Sequence, residues 1–472
     1  MGTAIAGSKS IITRKCSPDT RTPQAGFLFN LMAVLGGQLS CAVAALLVQA
    51  CYARLLGPAG RGQISLCLMA TAFGVLAGGL GGDYALTIWT AESGEKRSEW
   101  LPPIVSTAII GSFFSSCLWV FVYWKWSPAF LKGMTSSMAV LAFTGIPLGI
   151  LLTYLMAILT GLERFRLRSG LALSNQILGL AGIALSVFLF GAKPETAFLG
   201  NQIGTLICAL VTAAFLRSFL RDAWNPKTAL RKLYSVLNLG LRGQLGNLAT
   251  FFNYRLDVFV VNYFFDTTQV GLYAVGVLVA EGLWQIPHAA ALALIPRTAR
   301  TLNQGATEFT CLVIRHVILV ACVSGVLMAL LSPWAIPLVF GARFAPSVPV
   351  IWWILPGTIA LSVSKVICAD LAGRARPEFS SICAFLSLVV TVSLDLLLIP
   401  RMGINGAALA STVAYSVQTA LLAFFLKRQL KVSWQSFLVP SLGELEAYQI
   451  AWPRFKARLL RSTTPERRRA LG

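Results

Sequence analysis

Four ionisable side chains, Arg242, Arg255, Asp257 and Glu281, lie within two long apolar stretches between Leu237 and Pro296, joined by a short turn from Asp266 to Thr268. Each stretch is long enough to cross a bilayer, where a buried charge costs several kcal/mol on insertion scales. Such groups face a cavity, a partner or a substrate path rather than hydrocarbon, which points to movement of something polar through a membrane. At about 100° per residue, Asn238, Arg242, Asn253 and Asp257 share one arc of the first stretch. Gln244, Arg255 and Asn262 share another. Arg255 and Asp257 are two residues apart and point in nearly opposite directions, so each needs a partner on another helix. Arg242 and Arg255 stand about 20 Å apart along the axis, which makes them stations on a path rather than one pocket. Glu281 lies mid-stretch and requires a cation such as Arg255 or Lys365, a proton, or water. Lys365, in a later apolar run, is a third interior cation. Asp83, Asp370 and Asp395 fall near the ends of apolar runs, where an interfacial position is expected. Interior cations then outnumber carboxylates, a lining that suits an anionic group such as a diphosphate. The candidate substrate-binding residues are Arg242, Asn253, Arg255 and Lys365, with Asp257 and Glu281 as counter-charges or ion-coupling groups.

The elements that must position these residues are membrane helices. Of 472 residues, 56% are hydrophobic and 12% charged, against about 25% charged in ordinary soluble domains. Mean hydropathy is +0.72, and apolar runs of roughly 20 residues, the length that crosses about 30 Å of hydrocarbon, recur throughout. The pattern predicts an all-α integral membrane protein with twelve spans, at 27–50, 64–88, 101–123, 138–160, 170–191, 197–216, 236–265, 269–295, 312–333, 348–371, 379–398 and 405–427. Twenty-nine of the 39 basic residues fall at the termini and in the even-numbered connections, which predicts that both termini are cytoplasmic. The longest internal basic connection follows the sixth span. The chain is therefore divided into a basic N-terminus (1–26), a six-helix bundle (27–216), a linker (217–235), a second six-helix bundle (236–427) and a basic tail (428–472). Leu35-Gly-Gly-Gln-Leu39 and Leu241-Arg-Gly-Gln-Leu245 stand at matching places in the two halves, as in transporters built from repeats that bind substrate where the halves meet. Pro147, Pro287, Pro356 and the glycines from Gly78 to Gly82 lie inside spans, where kinks are tolerated if neighbours satisfy the freed backbone.

Other chemistry has little material. The ten cysteines form no CxxC pair, and there are two histidines, His288 and His316. No zinc or disulfide framework is expected from them. The net charge of +21 sits at span ends and reads as topology and contact with anionic lipid, not as nucleic-acid binding. No GxxxxGK[ST] phosphate loop is present, and the short outer connections leave no extracytoplasmic domain for glycosyl transfer. No enzymatic activity, metal or organic cofactor is expected; coupling to H+ or Na+ stays open through Asp257 and Glu281.

An ordered set of segments resembles a known family. Arg54-Leu-Leu-Gly-Pro-Ala-Gly-Arg-Gly62 is similar to its LGPxGRG turn after the first span. Asn253-Tyr-Arg-Leu-Asp257, Val270-Gly-Leu-Tyr273 and Glu281 resemble its seventh and eighth helices. Phe340-Gly341 and Phe344 resemble its outer loop after helix nine; Gly373-Arg-Ala-Arg-Pro377 and Ile399-Pro-Arg-Met-Gly-Ile-Asn-Gly-Ala-Ala408 resemble its last loops. The family is the bacterial polysaccharide (oligosaccharide) flippases of the multidrug, oligosaccharidyl-lipid and polysaccharide exporter superfamily. The resemblance implies two six-helix bundles around a central cavity that opens alternately to each side. It also implies a plasma-membrane flippase that carries undecaprenyl-diphosphate-linked glycans outward for surface polysaccharides such as lipopolysaccharide or exopolysaccharide, with a polymerase and glycosyltransferases as possible partners. Two alternatives stay open. A cation-coupled multidrug exporter of the same superfamily usually has an acidic residue in its first helix, and residues 27–50 contain none. A polytopic glycan polymerase or ligase is the other.

Overall fold

The computed structural model describes residues 24–92, 97–217, 226–300, 304–374, 376 and 378–430. The N-terminus before Gln24, the tail after Leu430, most of the first part of the 217–235 linker and the side chain of Arg242 lie outside the described residues.

All regular structure among these residues is helical. Helix α1 (Gln24–Gly79) is two helices joined at Gly57, whose φ of 67° and ψ of −175° turn the chain. Gly37 packs on Ser169 at one end of the bundle, Gly62 meets Thr267 at the other, and Gly81 returns to Gly240. This one element therefore crosses twice, its second crossing completed by α2 (Gly82–Glu92). The first half continues with α3 (Arg97–Phe130), α4 (Ser136–Gly161), α5 (Phe165–Phe190) and α6 (Pro194–Phe215). The second half comprises α7 (Pro226–Phe264), α8 (Thr267–Glu281), a 3-10 turn (Gly282–Trp284), α9 (Gln285–Arg300), α10 (Gln304–Phe340), α11 (Val348–Gly373), α12 (Glu378–Met402) and α13 (Ile404–Leu430). Local chemistry sets several starts. Thr135 caps α4 by accepting from the Met138 amide, and Asp266 caps α8 by accepting from the Gln269 amide, each satisfying a backbone donor that the first helical turn leaves free.

Ten stretches of the described residues are long and apolar enough to span a membrane. The sequence pattern predicts twelve, and the difference has a physical reason. Gly36–Gly79 counts once but crosses twice, and α7 falls outside the ten because its amides and charges dilute its hydropathy. Bulky apolar side chains such as Phe113, Phe114, Trp124, Phe188 and Trp334 point outward, a surface that only lipid covers at low cost. The chain is a multi-pass membrane protein.

The halves meet along α1 against α8 and α3 against α7. Basic residues gather at the end of the bundle that holds the connections after α4 and α11; the opposite, far end holds close contacts between halves. There a Cβ on Gly62 would overlap the Thr267 carbonyl, and one on Gly271 would overlap the Pro58 carbonyl, so backbones touch as only glycine allows. Arg54 donates to the carbonyls of Leu338 and Val339. Asn262 Nδ2 donates to the Phe130 carbonyl at 2.9 Å, and Lys132 Nζ to the Tyr263 carbonyl at 2.8 Å. Nearer the basic end, Gln244 donates to the Leu76 carbonyl and Gly81 packs on Gly240.

Candidate functional site

The charged residues of the second half form two clusters on different faces of α7, as the helical arithmetic requires. On one face, Arg255 holds Glu281 through a two-pronged pair, Nη1 to Oε1 at 2.6 Å and Nη2 to Oε2 at 2.8 Å. The match of guanidinium fork to carboxylate makes this the strong form of an ion pair. Glu281 can reach Arg255 because α8 stops there and a 3-10 turn follows. The pair is not sealed: Arg255 keeps 25% of its side chain exposed and Glu281 13%. Next to it, Lys365 on α11 places Nζ 4.2 Å from the Trp284 ring centre and 5.2 Å from that of Tyr254. The aromatic faces hold the ammonium by cation–π attraction, and no carboxylate pairs with it among the described residues. Tyr254 also meets Tyr415 edge-on, at 5.6 Å between centres. One cation is thus paired with a carboxylate and a second stands beside it on aromatic rings, in a partly open space. A phosphate group could compete with Glu281 for Arg255 and take Lys365 as a second donor.

On the other face, Asn253 is fully buried. Its Nδ2 donates to Gln418 Oε1 at 3.0 Å, and its Oδ1 accepts from Thr391 at 2.6 Å and from Ser387 at 3.3 Å. One turn along, Asp257 accepts from the Val258 amide at 2.8 Å, from the Tyr273 hydroxyl, and from Ser411 at 3.3 Å. Ser387, Thr391 and Asp395 follow one another at four-residue spacing on α12, which packs along α7. Asp395 is wholly buried, and neither carboxylate oxygen has a hydrogen-bond partner among the described residues. A bare carboxylate there would cost several kcal/mol, so a proton, a cation or a water must offset it while the helices close around it.

The candidates from the sequence are thus divided. Arg255, Glu281 and Lys365 come together; Asn253 and Asp257 stand apart in a filled network; Arg242 lies outside the described side chains. The interfacial position expected for Asp395 is corrected, since it is fully buried inside α12; Asp370 is also fully buried but does lie in the last turn of α11. Asp370 is held by Arg374 Nε at 2.7 Å and Thr310 at 2.7 Å, a structural ion pair one helical turn long. Asp395 lies inside α12 because that helix runs on to Met402, beyond the predicted edge at 398. Sequence reasoning missed Asp395, Trp284, Ser411 and Gln418. The serine, threonine and aspartate at equal four-residue steps along an apolar span were the available signal. In the first half, Arg61 is almost fully buried and donates to Ser65. No group of three or more metal-ligating side chains occurs among the described residues.

Comparison with known proteins adds a relationship to this geometry. A family model described as "Polysaccharide biosynthesis protein" matches residues 27–302. A probable low-salt glycan biosynthesis flippase, Agl15 of Haloferax volcanii, is 22% identical over 215 residues, covering 44% of this chain and 45% of that protein. The alignment thus spans less than half of that relative's length. Among solved structures, the lipid II flippase MurJ in an inward closed conformation superposes with a TM-score of 0.70 at 15% identity, over 86% of this chain and 89% of that one. A multidrug resistance MATE family transporter of the MOP superfamily, inward-facing, gives 0.69 at 15% identity, over 83% and 94%. At such identities the structural likeness is one of fold.

Proposed function

The chain belongs to the polysaccharide biosynthesis protein family, and from that premise we propose that it is a flippase for a lipid-linked oligosaccharide. In this reading it carries an undecaprenyl-diphosphate-linked glycan from the cytoplasmic to the outer leaflet of a bacterial plasma membrane, by alternating access, for surface polysaccharide export. The observation that carries the proposal is the Arg255–Glu281–Lys365 cluster, an ion pair with a second cation seated on Trp284 beside it, in a partly exposed interior. The diphosphate would displace Glu281 from Arg255 and draw Lys365 off its aromatic seat, while the polyprenyl chain stays in lipid. The positive-inside rule puts the basic end of the bundle in the cytoplasm, so the glycine-packed far end would be the closed outer gate. Glycosyltransferases would then supply the substrate and a polymerase would consume it.

Coupling is assigned to Asp257 and Asp395, whose buried carboxyls would take up H+ or Na+ on one side and release it when the helices part. That assignment suits a cation-coupled multidrug exporter equally, so substrate and ion need separate assays. In cells lacking their own flippase, Lys365→Gln and the paired change Arg255→Gln/Glu281→Gln should abolish surface glycan while the protein stays inserted and abundant. Normal export by both variants would overturn the assignment. Asp395→Asn should leave the folded protein intact and make transport insensitive to the coupling ion.

A further inference from the structure

The first half holds a cavity that the mechanism above does not use. It has a volume of about 610 Å³ and lies between α1, α2, α4 and α5 toward the basic end, a size that small-molecule ligands occupy. Asp83 lines it from α2, Thr153 from α4, Arg168, Asn175 and Gln176 from α5, and Cys41 from α1. Asp83 and Arg168 form no ion pair with each other, although both border the same space. Asn175 Oδ1 is buried and has no hydrogen-bond partner among the described residues, a costly state unless something donates to it.

Polarity is not the general condition of gaps in this bundle. A second cavity of about 410 Å³ is lined by α2, α3 and α4, and almost wholly by aliphatic side chains such as Leu86, Ile104, Ile150 and Ile158. The two differ in their chemistry although α2 and α4 border both. The polar one also abuts the joint between halves. Its α2 wall starts at Gly82, directly after Leu80 and Gly81, both of positive φ (48° and 69°), and Gly81 rests on Gly240 of α7.

The lining selects a ligand class by exclusion. An apolar tail would leave Asp83 and Asn175 without partners. A phosphate would meet the Asp83 carboxylate, and a lone cation would meet the Arg168 guanidinium. Neutral hydroxyls both donate and accept, so they can serve a carboxylate, a guanidinium and two amides at once. We propose that this cavity is a glycan subsite, in which sugar rings of the lipid-linked substrate bind Asp83, Asn175, Gln176 and Arg168 while the diphosphate is held elsewhere. The inference rests on the flippase reading and deepens it. It places sugar recognition in the first half, against the hinge with the second, so that a bound glycan bears directly on how the halves move.

Cys41 supplies the reporter. The full-length protein, with its other cysteines replaced by serine, is reconstituted in liposomes and labelled with a fluorescent maleimide. Three additions are compared: the lipid-linked glycan fraction of the source cells, undecaprenyl diphosphate without sugar, and phosphatidylglycerol. The glycan fraction should slow Cys41 labelling several-fold and the other two should not. Asn175→Leu and Gln176→Leu should each remove the protection, two variants so that a folding defect in one does not decide the matter. Equal protection by either sugar-free lipid would make this a headgroup site and overturn the proposal. Unchanged labelling by a glycan fraction that the same liposomes flip would overturn it while leaving the flippase reading intact. If that fraction is not flipped at all, the reading itself fails and the subsite with it.

Discussion

Between α7, α8, α11, α12 and α13 the second half buries Asp257 and Asp395 and partly buries Arg255, Glu281 and Lys365. The first half packs mainly apolar side chains such as Tyr52, Ile64, Ile104, Ile146, Ile150 and Phe198, with Arg61 buried beside Ser65. The contrast separates two tasks. An apolar interior is stable in either position of the halves, because its contacts do not depend on protonation or on a bound anion. A charged interior is stable only while each charge has a partner, so a change of partner changes which arrangement is favoured. The second half is therefore where substrate and ion can exert force. The first half offers a rigid counterface, backbone-to-backbone seals at glycine, and a polar cavity at its hinge.

The largest expected effect breaks the charge pair. Arg255→Gln leaves Glu281 without its partner and should lower stability by about 3–5 kcal/mol, read as thermal unfolding in detergent. Adding Glu281→Gln should restore most of that stability without restoring transport. An unaltered melting temperature in the single variant would mean that the second half does not depend on paired charge. Next, Gly62→Ala forces a methyl into the Thr267 carbonyl and should cost the closed far end about 1–3 kcal/mol. The readout is faster maleimide labelling of a cysteine placed at Thr267. Within the polar network, Thr391→Val removes the shorter of two donors to Asn253 Oδ1 and should cost about 1–2 kcal/mol by thermal unfolding. The smallest effect belongs to the first half. Ile146→Val should cost about 0.5–1.5 kcal/mol, with transport rates unchanged once protein amount is matched. A transport defect there, without a loss of stability, would erase the division of labour.

Much of this arrangement is visible in the chain itself. Helical periodicity correctly separates Asn253 and Asp257 from Gln244, Arg255 and Asn262, since azimuth on a helix depends only on spacing. In the structure the first pair turns to α12, α13 and Tyr273, Gln244 and Asn262 turn to the first half, and Arg255 turns to Glu281. Which neighbours lie across from each face is not written in one helix. The Arg255–Glu281 pairing, weighed in the sequence beside a Lys365 partner, depends on where α8 breaks, and Lys365 instead settles on Trp284. Asp395 looks interfacial because hydropathy fades before Met402, whereas the helix does not. The cavity beside Asn175 is set by four helices from separate parts of the first half, and no local pattern announces a space that packing leaves open.

Transport by the charged second half is read out by flipping in liposomes of defined content. Purified wild-type protein is reconstituted with a labelled undecaprenyl-diphosphate-linked glycan in the inner leaflet, and its arrival outside is followed with a lectin or a membrane-impermeant glycosidase. On the flippase reading, wild-type protein should expose the glycan far faster than protein-free liposomes, and the Arg255→Gln/Glu281→Gln double variant, folded and inserted, should not. Exposure by wild-type protein no faster than in protein-free liposomes, or equal exposure by the double variant, would contradict it.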